Sequence, residues 1–336
     1  MLSLPSSNLH AGRGACHGND SSWANSRKLT TIEVGLQEIR HFRSRIVTGQ
    51  GWRDVKVSGE SSLMSQISVA CVQMRSGMDV AANIGTAAAL IRQAAGTGAQ
   101  LIATPEMTTL LDRTPGAVWE KSTSEEADPG LRAFRGLARD LAVTLLIGSI
   151  AIRTVDGKCA NRSFLIGPDG LVKARYDKIH MFDVQLNAGN VYRESDSFSA
   201  GSKTVVAELP ACGLGMTVCY DVRFPDLYRQ LALGGAKIIA VPAAFTRITG
   251  EAHWHVLLRS RAIETGCYII APAQGGRHED GRETFGHSLI IDPWGQILAE
   301  AGTDPGFITA TLDLSKVDEV RGKIPSLKHA RPLSST

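Results

Sequence analysis

Short apolar runs alternate with stretches of helical spacing along most of the chain, from residue 64 onward. Apolar residues predominate in the short run 67–74, whereas in 80–95 they recur every three or four positions. The first pattern predicts a buried strand and the second predicts a helix. Strands are predicted at 67–74, 100–104, 143–150, 163–166, 171–176, 213–219, 237–241, 268–273, 288–291, 296–300 and 307–314, and helices at 80–95, 131–141, 225–233 and 251–265.

Two pairs of these strands are separated by short turns, GPDG at 167–170 and DPWG at 292–295. Such turns join neighbouring antiparallel strands into hairpins. Because hairpins sit beside strand–helix units, the pattern predicts an α/β fold with mixed sheets and not a purely doubly wound one. Several strands are apolar on both faces, which indicates burial between helices and a second sheet.

The first 63 residues do not share this periodicity. They are rich in Ser, Gly, Asn and Arg, and their eight Lys and Arg against five acidic residues give the same net charge of +3 as the entire chain. A strand follows directly after Met64. We therefore predict a disordered N-terminal extension over 1–63 and one folded domain over 64–336, with a targeting peptide as the alternative for the extension.

Net charge, apolar runs and cysteine spacing exclude several classes of binding partner. The formal charge is only +3, so neither nucleic acid nor an anionic membrane is expected to bind. No apolar run approaches the roughly 20 residues that span a bilayer. The six cysteines are scattered without a CxxC pair, which is typical of reduced thiols in a cytoplasmic protein. No metal site is predicted, because His253 and His255 lie two apart on a predicted helix and do not share a face.

Three residues with reactive side chains stand at the ends of predicted strands. Cys219 ends an apolar strand shortly before a helix, where a thiol can project beside free backbone N–H groups. Glu106 follows Pro105 after another strand and could act as a base. Lys178 follows the first hairpin and could stabilise negative charge on a carbonyl oxygen. Taken singly, each is better explained as a core cysteine, a solvated glutamate or a paired surface lysine.

Together, the sequences around these residues resemble the nitrilase, or carbon–nitrogen hydrolase, superfamily over residues 66–333. The motifs are ATPEM at Glu106, YDKIHMFD at Lys178 and TVCYDVRFPDLYR at Cys219. The resemblance implies a Glu–Lys–Cys triad there, with a second glutamate at Glu194 in VYRESDSFSAG. It also implies a four-layer α-β-β-α sandwich that associates through its helices into a homodimer or larger homo-oligomer. No metal or organic cofactor is expected.

The implied reaction is hydrolysis of a linear amide through a thioester on Cys219. A thiol is mostly protonated at neutral pH, so Glu106 would take its proton and pass it to the departing amine. Lys178 and the backbone N–H of Tyr220 would hold the oxyanion, and Glu194 would orient Lys178 or the substrate. Water would then cleave the thioester, with Glu106 again acting as the base.

Two later segments resemble the deaminated-glutathione amidase branch of the superfamily, PAAFTRITGEAHWHVLLRSRAIET and AQGGRHEDGRETFGHSLIIDPWG. The implied metabolite-repair reaction releases 2-oxoglutarate and cysteinylglycine. An ω-amidase acting on 2-oxoglutaramate or 2-oxosuccinamate is the near alternative, and an N-carbamoyl-amine hydrolase is a third. A Cys–His hydrolase of the papain type and a non-catalytic scaffold that kept the fold are hypotheses of other kinds.

Further residues are candidates for substrate contact. Arg223, four residues past the candidate nucleophile, could clamp a carboxylate, since a bidentate guanidinium suits a small dicarboxylic acyl group. A structural salt bridge with a neighbouring aspartate is an equal alternative. Phe245 and Thr246 follow a strand end and are candidates for the acyl pocket, with core packing as the alternative. Arg277 or His278 is a candidate for contact with the cysteinylglycine end.

Overall fold

The computed structural model describes residues 45–48, 51–54, 66–187 and 190–331. The chain divides into two units, residues 1–56 and 57–336. In the first unit, strands β1 (Arg45–Thr48) and β2 (Gly51–Asp54) pair antiparallel. The predicted disordered extension over 1–63 lies mostly outside the described residues and stays a prediction.

The first large sheet of the second unit has seven strands. They are β3 (Gln66–Gln73), β4 (Leu101–Ala103), β5 (Thr144–Arg153), β6 (Cys159–Ile166), β7 (Val172–Asp177), β10 (Phe198–Ser199) and β19 (Gly306–Asp313). Their order is β10-β6-β5-β4-β3-β19, and β7 also pairs with β6. Strands β3, β4 and β5 run parallel in the centre. A separate hairpin joins β8 (Asp183–Asn187) to β9 (Asn190–Arg193).

The second large sheet has six strands. They are β11 (Val205–Glu208), β12 (Gly213–Met216), β13 (Ala236–Ala240), β14 (Tyr268–Ala271), β17 (Leu289–Ile291) and β18 (Ile297–Glu300). They follow the order β11-β12-β13-β14-β17-β18, with β12, β13 and β14 parallel. A small antiparallel pair, β15 (Gly275–Arg277) and β16 (Glu283–Phe285), lies outside this sheet.

Helices cover the two sheets and connect their parallel strands. They are α1 (Val80–Gly96), α2 (Ala117–Lys121), α3 (Pro129–Leu141), α4 (Pro225–Leu233), α5 (Arg247–Thr265), α6 (Ser315–Lys323) and α7 (Ser326–His329). The carboxylates of Asp79 and Asp128 accept hydrogen bonds from first-turn N–H groups of α1 and α3, which satisfies otherwise unpaired donors. Within the described residues, no helix is both long enough and apolar enough to cross a membrane.

The alternation of side chains along β3 explains the layering. Val69 and Cys71 point to one face and pack in a core shared with the second sheet. Ala70 and Val72 point to the other face and pack with apolar residues of α1 and α3. The second sheet is covered on its far side by α4 and α5, so the predicted four-layer α-β-β-α sandwich is confirmed.

Most predicted elements are present, with shifted ends. Both predicted hairpins form, as β6–β7 and β17–β18. The predicted helix 251–265 begins four residues earlier, at Arg247. The strand predicted over 213–219 ends at Met216, and Cys219 instead opens a 3₁₀ turn, Cys219–Arg223. This difference matters because the turn sets the direction of the Cys219 side chain.

Candidate active site

A cavity of about 800 Å³ lies where loops of the two sheets meet. Four side chains singled out from the sequence line it together: Glu106, Lys178, Glu194 and Cys219. They are separated by up to 113 residues along the chain, since 219 minus 106 is 113. The fold therefore brings these four side chains into one pocket from separate strand ends and loops.

Cys219 reaches the cavity through an unusual backbone conformation. Its φ of 51° lies in the left-handed region, which costs a non-glycine residue about 1–2 kcal/mol. Its N–H donates to the Pro242 carbonyl at 2.8 Å, which helps to hold this conformation. The N–H of Tyr220, the next residue, has no acceptor among the described residues and is available to an oxyanion at the cavity wall.

A buried carboxylate ties the Cys219 turn to the first sheet. Asp221 accepts hydrogen bonds from the Val218 N–H at 2.9 Å and from the Tyr176 hydroxyl at 2.7 Å. It also accepts from the His180 backbone N–H at 3.1 Å. Because Tyr176 belongs to β7, these bonds fix the nucleophile turn against the strand that precedes Lys178.

Lys178 is buried between two carboxylates. Its Nζ lies 2.8 Å from Glu106 Oε1 and 2.8 and 2.9 Å from the two Glu194 oxygens. Burial acts to lower the pKa of this ammonium, but the charges of Glu106 and Glu194 outweigh it and raise the pKa well above its usual value. Lys178 is therefore charged at neutral pH.

Glu106 receives donors on both of its oxygens. Oε1 accepts from Lys178 and from Asn161 Nδ2 at 2.9 Å, and Oε2 accepts from the Ala244 N–H at 2.8 Å. Burial acts to raise the pKa of this carboxyl, but the charge and hydrogen bond of Lys178, together with the Ala244 N–H, lower it below its usual value. Glu106 is thus an ionised carboxylate in the resting site.

The Cys219 thiol lies beside this carboxylate in the cavity, close enough for the charge of Glu106 to act on it. Burial raises the pKa of the thiol well above its usual value, and the negative charge of Glu106 raises it further, while Lys178 opposes the shift. The resting site therefore holds a neutral thiol, an ionised glutamate and an ammonium. A thiol proton that faces a carboxylate is placed for transfer to a base.

The turn that carries Glu106 is fixed against β5. The N–H of the residue after Glu106 donates to Ser149 Oγ at 2.8 Å. Gly148 permits the close approach, because a Cβ at this position would overlap the carbonyl oxygens of Thr104 and Pro105. Only glycine lets β5 pass behind the base without displacing it.

Sequence reasoning did not identify Asn161. This side chain lies in β6, and its Nδ2 donates to Glu106 Oε1 at 2.9 Å and to Glu194 Oε1 at 3.1 Å. The amide thus links the two carboxylates that hold Lys178. An asparagine beside the apolar start of a buried strand was the available signal, because buried polar side chains need partners.

The residues predicted to contact the substrate divide into those that line the cavity and those that do not. Phe245 and Thr246 line the cavity, and their role in an acyl pocket stays a prediction. Arg223 does not line it, so the predicted carboxylate contact is not favoured by its position. Its Cζ lies 5.3 Å from the Phe245 ring centroid and 5.8 Å from that of Tyr220, the geometry of cation–π contacts. The alternative salt bridge with a neighbouring aspartate is not present among the described residues either.

The predicted contact of Arg277 or His278 with a leaving group is likewise not favoured. Neither residue lines the cavity, and the buried His278 imidazole is bonded to the Ser76 carbonyl and the Thr284 hydroxyl. Other arginines do reach the cavity wall, at positions 113, 193 and 282. The Nε of Arg282 is buried and has no hydrogen-bond partner within the described part of the chain.

Comparison with known sequences agrees with this geometry. The profile of the family described as "Carbon-nitrogen hydrolase" matches residues 68–322. A deaminated glutathione amidase from Synechocystis sp. (strain PCC 6803 / GT-S) is 42% identical over 264 residues, which cover 77% of this chain and 96% of that protein. The family match at residues 68–322 spans every residue of the candidate site.

Solved structures of related proteins are similar to the fold of this chain. The C. elegans NitFhit protein matches with a TM-score of 0.74 and 32% identity, over 80% of this chain and 65% of that one. A mutant of the amidase from Nesterenkonia sp. AN1 matches with a TM-score of 0.67 and 25% identity, over 79% of this chain and 94% of that one. In that amidase, the acetamide moiety of fluoroacetamide is covalently added at the active site cysteine.

Proposed function

We propose that this chain, which belongs to the carbon-nitrogen hydrolase family and hydrolyses amides, acts on deaminated glutathione and releases 2-oxoglutarate and cysteinylglycine. The observation that carries the chemistry is one buried pocket holding a thiol, its carboxylate base and an ammonium. The substrate is proposed from the relatives of that name, one of which is 42% identical to this chain over 264 residues.

In the first step, the Cys219 sulfur attacks the amide carbonyl carbon while Glu106 Oε accepts the thiol proton. A carbon–sulfur bond forms, and the π electrons of the carbonyl move onto its oxygen. The Lys178 ammonium and the Tyr220 N–H stabilise that oxyanion, as donors placed in advance do in other acyl transfers. Glu194 and Asn161 hold Lys178 and Glu106 in position.

In the second step, the tetrahedral intermediate collapses. Its carbon–nitrogen bond breaks, and Glu106 returns the proton to the nitrogen, so cysteinylglycine leaves as an amine. The acyl group stays on Cys219 as a thioester. Water then attacks this thioester with Glu106 as the base, and 2-oxoglutarate and the free thiol are released.

Recognition of the substrate's carboxylates is assigned to Arg282 in preference to Arg223. Deaminated glutathione carries a carboxylate at each end, and Arg282 lines the cavity with a buried Nε that lacks a partner among the described residues. Its contact with Asp280 is 3.6 Å, longer than a hydrogen bond. A bidentate carboxylate would satisfy this guanidinium.

The central experiment assays purified protein with deaminated glutathione and 2-oxoglutaramate side by side. We expect a higher kcat/KM for release of cysteinylglycine than for release of ammonia. Cys219→Ala should abolish both reactions without changing the circular dichroism spectrum, and the acyl-enzyme mass should be found only with Cys219 present. A preference for 2-oxoglutaramate would identify an ω-amidase instead. Folded protein that hydrolysed neither substrate would support the scaffold hypothesis.

The matched pair Arg282→Gln and Arg223→Gln tests the assignment of the carboxylate contact. Arg282→Gln should raise KM at least tenfold, and Arg223→Gln should leave it within twofold. A loss confined to deaminated glutathione places the contact at its glycine end, whereas a loss on 2-oxoglutaramate as well places it at the acyl end. The reverse ranking of the two variants would restore the clamp role of Arg223.

We also propose a homo-oligomer located in the cytoplasm. Ile248, Val256 and Ile263 are exposed and spaced eight and seven residues apart, so they share one face of α5. Light scattering of the protein and of Val256→Lys tests association through this face, and a monomer in both would contradict it. A fluorescent fusion of the full chain tests the location, and an organelle signal that requires residues 1–63 would make them a transit peptide.

A further inference from the structure

Two histidines and a glutamate form a cluster outside the active-site cavity. His255 lies on α5, His287 follows β16, and Glu300 ends β18. Glu300 Oε1 lies 2.9 Å from His255 Nε2 and 2.8 Å from His287 Nδ1. All three donor atoms lie within 4.8 Å of one another. None of the three residues lines the cavity that holds Cys219.

We propose that this cluster, termed the His–Glu–His cluster, binds a divalent transition-metal ion of the Zn²⁺ class. Two imidazoles and one carboxylate are a ligand set that proteins use for zinc, with water in a fourth position. Zinc–nitrogen and zinc–oxygen bonds of about 2.0–2.1 Å place tetrahedral donors about 3.3 Å apart. The two nitrogen–oxygen distances of 2.8 and 2.9 Å would lengthen slightly, and the two imidazole nitrogens, which lie within 4.8 Å of each other, would approach.

The backbone at His287 indicates that the cluster is more than a chance contact. His287 has a φ of 52°, a region that a non-glycine residue adopts only when its surroundings impose it. Its N–H donates to the Gly302 carbonyl at 2.8 Å, and its carbonyl accepts from Trp254 Nε1 at 2.8 Å. These bonds fix a strained residue in place, and strained residues concentrate at functional sites.

Both imidazole rings are restrained by the same phenylalanine. The His287 ring stacks on Phe285 with centroids 4.4 Å apart, and the His255 ring meets Phe285 edge-on at 5.9 Å. Ligands that are held in place before an ion arrives lose little freedom when it binds. The rings therefore present their nitrogens towards Glu300 in advance.

The cluster is accessible in a single copy of the chain. The three side chains are 33%, 28% and 35% exposed there, in the order His255, His287 and Glu300, so an ion can reach them from solvent.

Binding requires a lone pair on each nitrogen that faces the ion. A neutral imidazole that now donates to Glu300 would shift its proton to its other ring nitrogen, and a protonated one would release a proton to solvent. The carboxylate then exchanges two hydrogen bonds for one bond to the ion. Because α5, β18 and the segment after β16 each supply one ligand, the ion would join three elements of the fold.

The test measures Zn²⁺ binding to the full chain by calorimetry and Co²⁺ binding by visible absorption. The Cys219→Ala background removes the active-site thiol as a competing ligand. His255→Gln, His287→Asn and Glu300→Gln each remove one ligand, and asparagine tolerates the positive φ at 287. His253→Gln, on the same helix, is the matched control. We expect at least a tenfold loss of affinity in the first three and none in the control.

The proposal is overturned if all variants bind Zn²⁺ as tightly as the background protein. It is also overturned if every variant gives the same Co²⁺ absorption spectrum, typical of four nitrogen and oxygen ligands, as the background protein. Zinc bound by the histidines or Cys16 of residues 1–63 would persist in every variant and would give that result. Melting curves without metal check folding. Glu300→Gln keeps the shape of its side chain, so it decides the matter should His287→Asn fail to fold.

Discussion

Asn161→Ala tests whether the amide that links the two glutamates sets the strength of the base. The substitution removes a hydrogen bond of 2.9 Å to Glu106 and one of 3.1 Å to Glu194. A hydrogen bond to a charged group contributes about 1.5–3 kcal/mol. If that contribution favours the ionised form of Glu106, its loss raises the carboxyl pKa by about one to two units, at 1.36 kcal/mol per unit.

The expected result is a displaced pH profile. In the intact site the pKa of Glu106 is lowered, so the base stays ionised well into the acidic range. Without the Asn161 donor, the acid limb of kcat/KM against pH should move up by about one to two units. At neutral pH, kcat/KM should fall roughly ten- to a hundredfold, since small displacements of a catalytic group carry costs of this size.

Ser163→Ala provides a matched control on the same strand. Ser163 lies two residues further along β6, is equally buried, and donates to the Gly148 carbonyl at 2.6 Å instead of to a glutamate. It should lower the melting temperature without moving the acid limb. Profiles of kcat/KM measured between pH 4 and 9 decide the matter. An unmoved acid limb in Asn161→Ala would refute the assigned role of the amide.

Three further outcomes are expected. Glu106→Gln should abolish turnover but leave Cys219 open to alkylation by iodoacetamide. The charge of Glu106 raises the pKa of the Cys219 thiol, so its removal should lower the pH at which alkylation is half-maximal. A rise in this pH would contradict the prediction. Gly148→Ala should destabilise the fold by about 1–3 kcal/mol in urea and reduce kcat, whereas Gly136→Ala, at an open helix position, should stabilise it by up to about 1 kcal/mol. Removal of residues 1–63 should leave kcat/KM unchanged, and a large loss would show that this segment supports the site.

The sequence predicted most strands and helices because the signals are local, although their ends shift by up to four residues. Apolar runs, helical spacing and the two turns at 167–170 and 292–295 each depend on neighbouring residues, and both hairpins are confirmed. Glu106, Lys178 and Cys219 stand directly after such runs, which is why motifs of a few residues were enough to find them. Their catalytic roles stay predictions until the variants are assayed.

Contacts that depend on strand register or on side-chain direction could not be predicted from the sequence. Asn161 meets Glu106 only because β6 pairs with β5 in one register, and that pairing joins residues far apart in the chain. Arg223 is near Cys219 in sequence, but the 3₁₀ turn sends its guanidinium to the Phe245 ring. His255 was compared with its neighbour His253, whereas its hydrogen-bond partner, Glu300, lies on β18.

The nucleophile and its base are carried by opposite halves of the sandwich. Cys219 follows a strand of one sheet, while Glu106 and Lys178 follow strands of the other, so a slide of one layer over its neighbour would part them with every strand still paired. The rate of hydrolysis therefore depends on how the two sheets are aligned with each other. On heating, hydrolysis should fade while the far-ultraviolet signal of the strands is still intact.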